Sequence, residues 1–248
     1  EARHTLAERS RQRELLTRTL REHRAKREIL AGAGTAAEAR LALLEELERG
    51  HEGYNEAVRQ VLAAAQAGEL VGIQGVVGDV IEVPARYEVA IEAALGERLQ
   101  WIVVNTQEQA LAAVEYLRSH GAGCATFLPL SSLSAVAPRT ATPAGEGCIG
   151  VAARMVRSAR GMASVVEHLL GDALVMRDLR GALKYSRRLG YQARAVTLAG
   201  EVIERSGAIR GGALAKDAAQ LFGRKRELEQ VRAHLDELKR SLAATWEC

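Results

Sequence analysis

The sequence predicts an α/β (α+β) fold of two related mixed subdomains, flanked by an antiparallel coiled coil made from the chain ends. Three observations carry this: apolar residues at alternating three- and four-residue steps at both ends, one order of helix, glycine and strand that occurs twice in the middle, and a formal charge that changes sign by segment. The chain has 248 residues, 48% hydrophobic and 26% charged, a globular balance that argues against disorder. Only 4% is aromatic, which with abundant Ala, Leu, Glu and Arg favours long helices over part of the length.

Residues 1–50 read as an N-terminal coiled-coil arm. A seven-residue repeat laid on positions 6, 9, 13, 16, 20, 23, 27, 30, 34, 37, 41, 44 and 48 finds Leu6, Leu16, Leu20, Leu30, Ala37, Leu41 and Leu44. Arg9, Arg13, His23, Arg27, Gly34 and Glu48 are the exceptions. Gly32 and Gly34 each cost about 1 kcal/mol in a helix interior, so a break or frayed end is expected at residues 31–37.

Residues 51–130 form the first subdomain. Residues 71–83 read as strand, turn and strand; 87–95 as a helix stopped by Gly96; 99–104 as a buried strand; 107–119 as a helix ending near Gly121; and 124–128 as a strand. Residues 131–150, rich in Ser, Ala, Pro and Gly, read as a linker. The second subdomain, 151–212, repeats the order with a helix over 162–170, another over 179–189 and a strand over 194–198. Glu92, Leu95, Gly96 and Leu99 match Glu167, Leu170, Gly171 and Leu174 at an offset of 75. The offset then falls to 72 (Ala110, Leu111 and Leu117 against Ala182, Leu183 and Leu189) and to 70 (Ala125 and Leu128 against Ala195 and Leu198).

Residues 213–248 form the C-terminal arm. Leu221, Leu228, Val231, Leu235, Leu238 and Leu242 fill a seven-residue repeat that misses only at Arg224 and Thr245. Charges such as Glu227, Glu229, Arg232, Asp236 and Lys239 flank it, as a coiled-coil strand requires; an amphipathic helix laid on a globular core is the alternative. The two arms can pair antiparallel only if the middle brings them side by side.

Several chemistries are excluded or disfavoured. No apolar run approaches the roughly 18 residues of a bilayer span, and the N-terminus EARHTLAERS has no signal core, so no membrane partner and a soluble, cytoplasmic location are expected. The chain opens on Glu1 rather than Met, which suggests a piece of a longer protein. Cys124, Cys148 and Cys248 have neither disulfide-framework nor metal-ligand spacing, and His120 with Cys124 is no half-site for zinc, so no metal is expected. There is no GxxxxGK[ST] phosphate loop, and Gly72, Gly75 and Gly78 lie between strands instead of opening a helix, so they read as turns. Asp79 with Glu82 and Glu201 with Glu204 lack any nucleophile or His beside them and read as surface carboxylates.

Charge and glycine placement point to association. Residues 70–130 carry 3 bases and 7 acids, whereas 151–217 carry 12 bases and 6 acids, so the two halves are suited to dock on oppositely charged surfaces. SGAIRGG, residues 206–212, follows a strand pair and reads as an edge strand that another backbone approaches closely, or else as an exit loop into the C-terminal helix.

Taken in order, GIQGVVGDVIEV, YEVAIEAALGERLQWIVV, ATFLPL, LLGDALVMRDLRGAL, VTLAGEVI and SGAIRGG resemble the hinge domain of bacterial-type structural maintenance of chromosomes (SMC) proteins, with flanking coiled-coil segments. The resemblance implies a hinge between two halves of a long coiled coil, joined to a second hinge as a two-fold ring-shaped homodimer. It implies that closing glycine pairs line the dimer contact, here Ser206 with Gly207 and Gly211 with Gly212, the first pair departing by a serine. It also implies a parent that works in chromosome condensation and segregation, is nucleoid-associated, and has a distant ATPase head with ATP, Mg and other condensin-type subunits. No enzymatic activity and no cofactor are expected in this fragment. A ligand-binding or enzymatic α/β domain inserted in a coiled coil, and a plain structural spacer, are the other classes. Arg210, Lys216, Arg224, Lys225 and Arg226 are the candidates for weak, non-specific DNA binding, since they cluster in sequence with no aromatic stacking platform; solvated coiled-coil charges are the alternative.

Overall fold

The computed structural model describes residues 2–49, 54–133, 147–212 and 221–245, in two compact units, Glu1–Arg49 with Lys225–Cys248 and Gly50–Arg224. Helix α1 (Ala2–Arg49) comes first, then α2 (Glu56–Gln66), whose N-terminus is capped by the Asn55 side chain accepting the Val58 N–H. The first half of the larger unit runs β1 (Ile73–Val76), the single turn α3 (Val77–Val80), β2 (Ile81–Glu82), α4 (Glu88–Leu95), β3 (Ile102–Val104), α5 (Gln107–His120) and β4 (Phe127–Pro129). The second runs β5 (Cys148–Val151), β6 (Arg157–Ser158), α6 (Ala163–Leu170), β7 (Ala173–Met176), α7 (Leu179–Arg188), β8 (Arg194–Thr197), β9 (Val202–Ile203) and β10 (Ile209–Arg210). Helix α8 (Leu221–Ala244) follows. Strand β5 starts inside the segment expected as linker, of which residues 134–146 lie outside the described residues.

The repetition is visible in the strand registers. Ile73, Gly75 and Val76 of β1 stand opposite Val104, Val103 and Ile102 of β3; Cys148, Gly150 and Val151 of β5 stand opposite Met176, Val175 and Leu174 of β7 in the same arrangement. Each pair is bulged at the same step, and each bulge holds a glycine at positive φ, +124° at Gly75 and +153° at Gly150, where a side chain would be strained. The central strands then pair in parallel with β4 and β8. The offset between halves is 75 at Gly75 and Gly150, 72 at Val103 and Val175, and 68 at Leu128 and Val196. Two details of the expected alignment are therefore corrected: Leu174 corresponds to Ile102, not to Leu99, and the last step is 68, not 70. Leu99 sits in a 3-10 turn, Gly96–Gln100, that lengthens the first half between helix and strand, so β3 begins only at Ile102.

The halves are joined across a local two-fold. Strand β2 pairs antiparallel with β6, Ile81 opposite Ser158 and Glu82 opposite Arg157, so equivalent strands of the two halves bond to each other. One core contains Val77, Ile91, Leu95 and Val103 from the first half and Val165, Leu170, Leu174, Val196 and Ile203 from the second. A second core lies on the other face of the first sheet, where α2 and α5 supply Val58, Val61, Ala113 and Leu117 against Ile102 and Val104. Strand β3 is thus buried on both faces, which accounts for its unbroken apolar sequence.

A buried guanidinium ties the halves at their helix ends. Arg194 on β8 donates from Nη1 to the Ala94 carbonyl at 2.8 Å and from Nη2 to the Leu169 carbonyl at 2.6 Å. These carbonyls lie at equivalent places in the last turns of α4 and α6, where no intrahelical N–H is available. Asp172 neutralises the charge, with Nη2 2.6 Å from Oδ1.

In the smaller unit, the buried and half-buried positions of α1 from residue 27 onward include Arg27, Leu30, Gly34, Ala37, Leu41 and Leu44, and those of α8 include Leu228, Val231, Leu235, Leu238, Leu242 and Thr245. Both follow the expected seven-residue repeat, with the same alternation of three- and four-residue steps. Glu38 and Glu45 meet Lys239 and Arg232 at 3.1 and 2.8 Å, so a step towards the N-terminus of α1 is a step towards the C-terminus of α8, as in an antiparallel pair. Arg40 slants the other way to Glu227, at 2.5 Å. Residues 11–26 of α1 are exposed, Leu16 at 67%, so the N-terminal part of the expected seam is not buried in this chain. The expected break at residues 31–37 does not occur, because α1 runs unbroken through Gly32 and Gly34. Flanking alanines offset the two glycine costs, and the seam continues on both sides.

Two outcomes are expected. Arg194→Met keeps the side-chain length but removes every donor from Asp172 and the two carbonyls, so denaturant unfolding should show a loss of about 3 kcal/mol; a loss under about 1 kcal/mol would show that solvent replaces these bonds. A Cβ added at Gly32 or Gly34 meets nothing within 4 Å. Gly32→Ala with Gly34→Ala should raise stability by about 0.8–1 kcal/mol each, read as later melting of the 222 nm helix signal, and earlier melting would contradict the unbroken helix.

Candidate functional site

The second sheet has the order β10-β9-β8-β7-β5, so β10 is an edge strand. The antiparallel registers place Ile209 opposite Ile203 and Arg210 opposite Val202. Glu204 N–H donates to the Ala208 carbonyl at 2.8 Å, which fixes the alternation of the ladder and turns the N–H and C=O of Ile209 towards the open side. The Ile209 side chain is 52% exposed.

The four glycine-motif residues divide into two roles. Ser206 and Gly207 form the turn between β9 and β10: Ser206 Oγ accepts the Ala208 N–H at 3.3 Å, and Gly207 at φ +84° donates to the Glu204 carbonyl at 2.9 Å. Gly211 and Gly212 are exposed and continue the edge beyond β10. Gly211 is also needed within the chain, since a Cβ there would come within 3.1 Å of Glu201 Cγ.

In the first sheet, ordered β1-β3-β4, β4 is the corresponding edge strand among the described residues. It is the counterpart of β8, but β8 has β9 beside it and β4 has no described neighbour on that side. Pro129, which lacks an N–H, is tolerated on β4 as on an edge strand.

Behind the β10 edge lies a charged group of which the sequence reading singled out only Arg210 as a site residue, and for a different role. Arg210 Nη2 donates to the Ala93 carbonyl in the last turn of α4, next to the Ala94 carbonyl held by Arg194. Burial first, and then the neighbouring Arg194 charge, hold the Arg98 guanidinium below its ordinary range, with Asp172 and Glu204 acting the other way. One residue before Ala93 on α4, Glu92 accepts the Phe222 backbone N–H at 3.1 Å in the first turn of α8. A carboxylate there suits the positive end of a helix. The available signal was a charged residue inside an apolar run, Glu92 within AIEAAL and Arg194 within ARAVTL.

Of the DNA-binding candidates, Arg210 is engaged with α4, Arg224, Lys225 and Arg226 are half-buried near the start of α8, and Lys216 lies outside the described residues. Among the described residues no group of three or more His, Cys, Asp or Glu could hold a metal. His120 stacks on Tyr116 with ring centroids 4.1 Å apart, and its Nδ1 lies 2.9 Å from the Tyr116 carbonyl. Cys148 is half-buried, and burial pushes its thiol pKa up. No helix among the described residues is long and apolar enough to cross a membrane.

Comparison with known proteins locates this architecture. Residues 70–186 match the family described as SMC proteins Flexible Hinge Domain. The chromosome partition protein Smc of Desulfitobacterium hafniense is 37% identical over 203 residues, covering 80% of this chain and 17% of that protein. The Bacillus subtilis protein of the same name is 36% identical over 211 residues, covering 84% and 18%. The chain therefore spans about a sixth of the length of these relatives. Among solved structures, an asymmetric dimer of the Geobacillus stearothermophilus SMC hinge domain superposes with a TM-score of 0.83 at 37% identity, covering 92% of each chain. The Pyrococcus furiosus Smc hinge domain with an extended coiled coil gives 0.55 at 26% identity, covering 92% of this chain and 87% of the other.

Proposed function

The chain belongs to the SMC hinge-domain family, and from that premise we propose that it is the dimerisation hinge of a chromosome condensation and segregation protein, joining two copies edge to edge. The pair of open sheet edges carries this reading. Among the described residues, β10 presents backbone groups with no partner, and β4 has no strand at the place where β9 borders β8. Pairing β10 of one copy with β4 of the other fills both, and two-fold symmetry repeats the contact to give a closed ring. The halves that meet are the acidic one, 70–130, and the basic one, 151–217, so the approach is electrostatically favourable.

The same reading places an ATPase head, with ATP, Mg and other condensin-type subunits, in the remainder of the parent protein, and a cytoplasmic, nucleoid-associated location. The relatives' name, chromosome partition protein, supports the chromosomal part of this reading. Weak DNA binding without sequence preference is its second part, with the half-buried Arg224, Lys225 and Arg226 and with Lys216 as the phosphate contacts.

Light scattering should give about twice the 26.7 kDa of one chain, and a monomer would overturn the reading. Gly211→Glu with Gly212→Glu should shift the mass towards the monomer, with circular dichroism checking that the crowding of residue 211 against Glu201 has not unfolded the sheet. In a DNA titration, affinity should fall steeply between about 50 and 200 mM salt, and fall again when Arg224, Lys225 and Arg226 become Glu; binding indifferent to both would remove DNA as a partner.

A further inference from the structure

The helices that follow the two central strands end in the same way. Helix α5 stops at Gly121, φ +61°, where the Gly121 N–H donates to the Arg118 carbonyl at 3.4 Å and the Ala122 N–H to the Leu117 carbonyl at 3.0 Å. Helix α7 stops at Gly190, φ +59°, where the Gly190 N–H donates to the Arg187 carbonyl at 3.2 Å and the Tyr191 N–H to the Ser186 carbonyl at 2.9 Å. In each, one left-handed glycine turns the chain so that its own amide and the next reach back to the last helical carbonyls, and this cap asks for positive φ at the glycine alone. Ala122 accordingly has an ordinary φ. Tyr191, in the equivalent place, has φ +57°, and no other non-glycine residue among those described has a positive φ. The left-handed region is costly for a large side chain because its Cβ crowds the following carbonyl, so the helix cap does not account for Tyr191.

The direction of its ring does. The ring lies on the bare backbone of Gly207, where a Cβ would stand 3.8 Å from Tyr191 Cε1 and 3.9 Å from Cζ, at van der Waals distance. The same side chain packs against the main core and is half-buried. Gly207 is in the turn between β9 and β10, whose strands are two residues each, and a hairpin of that size is marginal in water without support. Arg210 ties the end of β10 to the Ala93 carbonyl, and Tyr191 backs the turn. The first half provides the comparison: among the described residues no hairpin follows β4, and there the cap is followed by Ala122, with neither ring nor strain.

We propose that Tyr191 is the positioning residue of the β9–β10 edge: its strained backbone aims the ring at Gly207, props the hairpin turn on the core and sets the orientation in which β10 is offered for self-association. An edge held in its binding orientation before contact loses less freedom on association, which raises affinity without any new contact. The link to self-association rests on the homodimer reading; the propping of the hairpin does not. The Tyr191 hydroxyl has no hydrogen-bond partner among the described residues, so the ring is the part that acts.

Hydrogen exchange and sedimentation of the full chain test this. Tyr191→Gly removes the ring and the strain together. The amides of Glu204 and Gly207, which bond across the turn, should then exchange about tenfold faster or more, while those of Val175 and Val196, buried in β7 and β8, keep their protection. The dimer dissociation constant should rise about tenfold or more. Tyr191→Phe keeps the ring and should leave both readouts at wild-type values. Unchanged exchange at Glu204 and Gly207 would overturn the inference, and so would an equal loss of protection at Val175 and Val196, the mark of an ordinary core residue. Lost hairpin protection with unchanged dimer affinity would overturn the part of Tyr191 in self-association. A monomeric wild type would overturn the homodimer reading, and the exchange of the hairpin amides would still decide whether Tyr191 props the turn.

Discussion

The larger unit depends on a solution to one problem, the burial of two helix C-termini against each other. Helices α4 and α6 are equivalent in the two halves and end in the shared core. Their last carbonyls would be orphaned in apolar surroundings, at about 1–3 kcal/mol for each unsatisfied group. A single arginine answers both, because a guanidinium has a fixed fork of donors and stays charged when buried. Arg194 uses one nitrogen for Ala94, another for Leu169, and Asp172 for charge balance. Cations at helix C-termini also suit the helix dipoles. The bonded pair of equivalent strands, β2 with β6, brings the halves together elsewhere, so the local two-fold is held by backbone pairing and by one side chain.

Much of this was legible in the sequence, for identifiable reasons. Helices with strong stops were read closely: α4 ends at Gly96 and α5 at Gly121, both at positive φ, which glycine alone accepts without strain. The seams of both arms were read from spacing, and burial in α1 from residue 27 and in α8 follows that spacing. The internal repetition was visible because equivalent glycines and leucines mark equivalent ends. Its detailed alignment slipped where a 3-10 turn inserts residues that have no periodic signature. Helix α2 escaped notice because its alanine-rich sequence lies beside the arm and looks like a continuation of it. Strand β6, which the sequence reading did not identify, is two residues long, too short for alternation to register.

For the candidate site, composition located the edge but not its companions. Four residues in one motif looked alike, yet two make a turn and two extend the edge, a division that depends on hydrogen bonds rather than residue type. Arg210 resembled a solvent-facing cation in sequence, but it is tethered to a carbonyl more than a hundred residues away.

Three consecutive residues of α4 receive bonds from three different elements: Glu92 from the Phe222 amide in the first turn of α8, Ala93 from Arg210 on the edge strand, and Ala94 from Arg194 between the halves. In mechanical terms they form a load path. Traction on the start of α8 enters the unit at Glu92 and reaches the tether of the edge strand one residue later and the inter-half lock one residue after that. A helix of eight residues, about 12 Å long, thereby sets the compliance with which a pull is delivered to the edge and to the core together.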